Sequence, residues 1–255
     1  LEQNTEGSSN VAVGNGALNS NITGNENTAL GHSTLKNNTT GHSNVAIGHS
    51  SMEDNTSGYD NTALGNDALK NNETGVYNVS IGRGSMYNTT SGSNNTAVGA
   101  NTLVDNTVGD GNSALGLNSL FRNTSGSYNV AFGWNALHSN TTAGSNIAVG
   151  SEAMYSNTEG SNNTAIGGAA LRANTTGGEN SAFGYLALKS NTTGTRNTAL
   201  GLSTLFYNTD GTTNIAIGRE ALYNNTTGSY NTILGSTAGF NNTTGSRNVF
   251  IGYDA

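Results

Sequence analysis

Apolar residues in this chain follow a 17-residue period. With Asn4 taken as position 1, fifteen repeats run to the end of the sequence without insertion or deletion. Position 10 is apolar in every repeat, from Val13, Leu30 and Ile47 to Ile251. Position 15 is Leu or Met from Leu18 to Leu222, and Gly239 breaks the column. Position 9 is Ala in twelve of fifteen repeats, with Ser80, Ile233 and Phe250 as exceptions, and position 14 is always Ala, Ser or Thr. Position 11 is Gly throughout, from Gly14 to Gly252. Position 7 is Asn throughout: Asn10, Asn27, Asn44, Asn61, Asn78, Asn95, Asn112, Asn129, Asn146, Asn163, Asn180, Asn197, Asn214, Asn231 and Asn248.

This pattern predicts β structure. Positions 7 to 11 alternate small and bulky residues with period two, as a strand does. Positions 13 to 17 read as a second strand. The N-T-T-G stretch, as at Asn38–Gly41, has turn chemistry: Asn and Thr bond nearby backbone, and Gly supplies positive φ. No stretch carries a 3.6-residue apolar stripe, so helices are not expected. Two strands and two turns use up one repeat, and stacking such coils at about 4.8 Å gives a rod on the order of 70 Å long. The expected fold is an all-β solenoid of fifteen coils over residues 1–255, with a C-terminal transition from about residue 233. In such a stack the position 7 amides lie one above another and bond as a ladder, whose middle members, Asn129 or Asn146, matter more than Asn10.

Two assignments of the strand faces are open. The aliphatic residues at positions 10 and 15 most simply fill the interior, which leaves the Asn-Ala-Gly face outside as a self-association surface. The opposite arrangement buries the small face and puts aliphatic residues at a subunit interface.

Composition alone would suggest disorder: 33% apolar residues, 36 glycines and no proline in 255 residues. The strict repeat reverses that expectation, because coil-to-coil hydrogen bonds satisfy the backbone of a thin structure. A net charge of −7 argues against nucleic acid and anionic membrane partners. No apolar run has the length of a membrane span. The chain opens and closes in mid-repeat without an initiator Met, and so reads as a segment of a longer fibre.

The strand motif resembles the head repeats of trimeric autotransporter adhesins, the YadA-like head, with its N-S-V-A-I-G-x-x-(S/A) unit. Matching stretches are Asn44–Gly48 with Ser51, Asn163–Gly167 with Ala170, and Asn214–Gly218 with Ala221. The resemblance implies a left-handed parallel β-roll, an obligate homotrimer and a place on a cell surface. The 17-residue unit is longer than that family's usual coil, and the enlarged turn is also similar to bacterial and phage tail-fibre-like proteins, which implies a virion surface as the other location. The expected function is a structural or adhesive extracellular fibre segment that contacts itself and a host surface or glycan. The alternative is a monomeric ice- or glycan-binding β-solenoid, motivated by Thr at position 2 in thirteen repeats.

No enzymatic constellation stands out. His32, His42, His49 and His138 fall at positions 12, 5, 12 and 16, and no acidic column recurs as it does in calcium-binding β-rolls, so no catalytic, cofactor or metal residues are expected. Asn-x-Thr triplets such as Asn38–Thr40 and Asn191–Thr193 match the glycosylation sequon but read as turns. Tyr87, Phe121, Tyr155, Phe206, Tyr223 and Phe240 share position 16 and are the candidate glycan or partner contact; the plainer reading is that they lean half-buried on the turn.

Overall fold

The computed structural model describes residues 3–255; the first two residues of the expected repeat region lie outside the described residues. The chain forms two compact units, Leu1–Tyr128 and Asn129–Ala255. Each is a parallel β-solenoid. The first contains strands β1 (Val11–Val13) to β7 (Ser113–Leu115), and the second β8 (Val130–Phe132) to β15 (Val249–Ile251). Every strand has three residues, at positions 8 to 10. Within each unit consecutive strands pair in parallel with a constant offset of one repeat, as in Thr28↔Val45 and Thr164↔Ser181. The described residues contain no helix.

The expected second strand is absent. Positions 13 to 17 are turns, and the reason lies in the backbone. Three positions of each coil, 6, 13 and 15, are left-handed: Ser43 has φ 56°, Ser50 φ 51° and Met52 φ 50°, and Glu179, Leu186 and Leu188 repeat this at 59°, 61° and 51°. Each such residue costs about 1–2 kcal/mol when it carries a Cβ. Left-handed residues cannot continue a strand; they turn the chain and point its N–H groups along the stack. Ser33 N–H thus reaches Asn15 O at 2.9 Å, and Leu35 N–H reaches Ser51 O at 3.1 Å.

The structure also settles the two faces. The small residues are inside: position 9, as in Ala46 and Ala165, is fully buried, and so are the Asn residues of position 7 in the coils between the ends. Position 15 is inside as well, with Leu35, Met52, Leu171 and Leu188 fully buried. Position 10 is outside, with Val13, Leu64, Phe132 and Leu200 40–54% exposed. Filling the interior with both aliphatic columns, and leaving the Asn-Ala-Gly face outside for self-association, is therefore incorrect. Asn can occupy the interior because its amide is fully hydrogen-bonded there, which removes the main cost of burying it.

The interior matches a large residue to a small one. Leu or Met at position 15 faces the Ala column of the strand. Near the C-terminus the sizes are exchanged: Gly239 replaces the Leu, and a Cβ there would lie 3.0 Å from Phe250 and 3.4 Å from Ile233, the two bulky residues of position 9. The departures from consensus beyond residue 233 include this compensated exchange, in keeping with the close packing of protein interiors. Position 11 is Gly for another reason. Gly31, Gly48 and Gly184 have φ between 130° and 141°, and an added Cβ would lie under 3.0 Å from the carbonyl of the glycine one coil on.

Left-handed geometry at non-glycine residues leads to a prediction. Ala169, at position 13, has φ 53° and a half-buried side chain. Ala169→Gly relieves the left-handed strain but increases the entropy of the unfolded chain, and the balance should raise stability by about 0.5–1 kcal/mol. A shift of the denaturation midpoint to higher denaturant checks this; a lower midpoint would mean that the strain is already relieved.

Candidate functional site: two asparagine ladders and an outer apolar face

The most ordered chemistry in the molecule is internal. At position 7 each amide oxygen accepts the backbone N–H of the Asn one coil on, as in Asn44 N to Asn27 Oδ1 at 3.1 Å and Asn163 N to Asn146 Oδ1 at 3.0 Å. In many coils the next amide nitrogen donates to the same oxygen, as from Asn197 to Asn180 at 3.1 Å. The amide nitrogen also donates to the position 4 carbonyl of the following coil, as from Asn27 to Gly41 O at 2.8 Å. The ladder therefore joins side chain to backbone as well as amide to amide.

Position 1 forms a second ladder that the sequence reading took only for a turn. Asn38 Nδ2 donates to Asn21 Oδ1 at 2.8 Å, and Asn191 Nδ2 donates to Asn174 Oδ1 at 2.8 Å. The same nitrogens donate to the position 4 carbonyl of their own coil, as from Asn38 to Gly41 O at 2.9 Å. Gly41 O thus accepts from both columns. The pattern holds at Ala143, whose carbonyl accepts from Asn129 and Asn140, each at 2.9 Å. The signal for this ladder was in the sequence, since position 1 is Asn in every repeat but one.

That one is Thr89. Its hydroxyl is buried without a partner, and so is Asn72 Oδ1, which in the other coils would meet an incoming amide. The ladder restarts at Asn106, which accepts from Asn123 at 2.8 Å.

The sequon residues belong to this interior. Asn38 and Asn191 are fully buried with their amides engaged, which withholds them from modification in the folded chain. The position 2 threonines are likewise committed. In the inner coils Thr39 Oγ1 donates to Thr56 O at 2.9 Å and Thr175 Oγ1 to Thr192 O at 3.1 Å.

The position 16 residues line up on the outside, half-buried. Tyr223 lies between Phe206 and Phe240, with centroids 5.1 and 5.0 Å away and interplanar angles of 17° and 4°. Both faces of its ring are covered by neighbours rather than open to a sugar. Burial, and then Tyr207, push the Tyr223 hydroxyl above its usual range. Cations flank some of the rings: Arg172 sits 5.4 Å from the Tyr155 centroid, Lys189 4.9 Å from Phe206, and Lys70 5.5 Å from Tyr87. Partial burial works to lower the Lys70 pKa, but Tyr87, Asp67 and Glu53 outweigh it and raise the group above the ordinary lysine value. Phe121 belongs to the same half-buried column. The six aromatic residues named as a candidate contact are thus half-buried, as the plainer reading has it, and the rings of consecutive coils, Phe206, Tyr223 and Phe240, stack on each other.

Among the described residues no group of three or more His, Cys, Asp or Glu side chains is placed to hold a metal ion, and no helix is long and apolar enough to cross a membrane. Two of the four histidines are neighbours. His32 and His49 stack on each other, His42 stacks on Tyr59, and His138 stacks on Tyr155.

What remains open is the outer strand face. Position 10 is aliphatic or Phe in every coil, and position 8 adds residues such as Val45, Ile147 and Ile215, so each unit carries a ribbon of exposed apolar side chains. Leu117, Trp134, Tyr185 and Leu202 extend it at position 12.

The ladders make two predictions. Asn146→Ala leaves the Asn163 N–H without its acceptor and takes one donor from Gly160 O, so it should destabilise by about 1–3 kcal/mol. Asn10→Ala should cost less, because Asn10 is part-exposed and water can replace its bonds. Equal denaturation midpoints for the two variants would remove the ladder as a stabilising element. Thr89→Asn should act in the opposite direction, by supplying the missing donor to Asn72 Oδ1. A gain of about 1–2 kcal/mol in chemical denaturation is expected, and an unchanged midpoint would show that the break costs nothing. Compared with protein-family models, curated proteins and solved structures, the chain matches none.

Proposed function

We propose that this chain is a structural or adhesive segment of an extracellular fibre, in which copies of the solenoid associate as a homotrimer through the outer strand face. The observation that carries the reading is the ribbon of exposed apolar side chains at positions 8 and 10. Isolated apolar residues on a surface need no explanation, but a contiguous patch of them marks an interaction surface. The ribbon repeats with the coil, so a second copy of the same chain meets it in register along its length. Self-association thereby moves from the Asn-Ala-Gly face, which is interior, to the aliphatic face.

The roll's other features suit a load-bearing spacer. Its hydrogen bonds run from coil to coil, and its side-chain columns are committed to one another. The resemblance to adhesin heads and tail-fibre-like repeats supports three chains and a location on a cell or virion surface. Reach, stiffness and surface contact are then the work of this segment, with no reaction to catalyse.

Light scattering of the purified chain tests the assembly. A mass three times that of the 26.0 kDa chain is expected. Ile166→Asp with Leu200→Asp, both on the exposed face, should dissociate the oligomer and leave the β-sheet spectrum intact. A stable monomer of the unaltered chain at micromolar concentration would overturn the reading.

A further inference from the structure

His32 and His49 occupy position 12 of consecutive coils, and both are exposed. Their rings are nearly parallel, 6° apart, with centroids separated by 5.1 Å. This separation comes from the fold. The backbone around them is tied from coil to coil, as in Ser50 N to His32 O at 2.9 Å and Gly48 N to Leu30 O at 2.9 Å. The two backbone positions are therefore fixed one coil apart, and the exposed rings stack above them.

We infer that His32 and His49 form a two-histidine site for a borderline divalent transition-metal ion, of the zinc, nickel or copper class, with water completing its coordination. Neutral imidazole nitrogen is a preferred donor for these ions. Metal–nitrogen bonds of about 2.0–2.1 Å at a tetrahedral angle place the two nitrogens about 3.3 Å apart. Rings already stacked one coil apart reach that spacing by tilting their tips together, without moving the backbone. The ordering entropy of bringing two ligands together has thus been met by folding, as it has not for His42 and His138, whose stacked neighbours are tyrosines. The net charge of −7 favours a cation at any exposed site. An ion held by two coils binds the folded chain more tightly than the unfolded one, so it clips the turn of one coil to the next and raises stability by mass action. Both ligands lie in one chain, in the position 12 column that borders the ribbon proposed for assembly, so loss of binding in the histidine variants is read separately from the mass of the oligomer.

Isothermal titration of the full chain with Ni(II), together with thermal unfolding with and without the ion, tests the site. The expected result is one ion per chain and a higher Tm in its presence. Both effects should be lost in His32→Asn and in His49→Asn and kept in His42→Asn and His138→Asn. Asn is a natural occupant of this column, at Asn15 and Asn66 in the flanking coils, so these variants are expected to fold, and circular dichroism verifies it. No binding by the unaltered chain, or binding that survives in either His32→Asn or His49→Asn, would overturn the assignment.

Discussion

The carbonyl of position 4 is the point on which the coil depends. It accepts the amide of its own coil's position 1 Asn and the amide of the preceding coil's position 7 Asn, as Gly41 O does at 2.9 and 2.8 Å. Two columns of polar side chains are thereby joined to one backbone and to each other. A buried amide left unpaired costs far more than a net hydrogen bond contributes. The arrangement works because its donors and acceptors match from coil to coil, and this matching forces the repeat to keep a single length. An inserted residue would move the carbonyl out of reach of both columns. The absence of any insertion over fifteen repeats follows from this constraint.

The rest of the coil is shaped to suit that interior. Three left-handed corners per coil aim N–H groups along the stack, and glycine at position 11 lets neighbouring backbones approach where no Cβ fits. The interior is thin, so a Leu or Met from one side needs an Ala on the other, and the exchange of Gly239 with Ile233 and Phe250 keeps the same filling. With polar and small residues consumed inside, bulky aliphatic side chains are left on the outer strand face. An exposed apolar ribbon is therefore a consequence of how the roll is filled, and it is the surface through which we propose assembly.

Much of this was legible in the sequence. The period, the parallel stacking, the strand around Val45–Ile47 and its counterparts, and the position 7 ladder all follow from spacing and residue type. The faces did not, because alternation tells which residues share a face but not which face is inside. The usual preference for aliphatic residues within misled: Leu30 and Leu64 are outside, while Asn27 and Asn61 are buried beneath hydrogen bonds that the sequence does not display. The second strand failed at Leu35, Met52 and their equivalents, residues that ordinarily avoid positive φ and so give no sign of a left-handed corner. The position 1 ladder was hidden because Asn in an N-T-T-G stretch already has a sufficient explanation as a turn. The relation of His32 to His49 was visible in their common position 12, but its meaning depends on knowing that position 12 is exposed and stacked.

The proposed fibre, its adhesive surface and the proposed metal clip all presuppose that the interior amides are locked. Side-chain amide exchange, followed by NMR on chain labelled at asparagine, measures this most directly. Interior amides such as Asn44, Asn55, Asn180 and Asn191 should exchange as slowly as strand backbone amides. The exposed Asn25, Asn94 and Asn162 should exchange at solvent rates. If the interior amides exchange as fast as the exposed ones, the ladders do not hold the roll, and the account built on them is wrong.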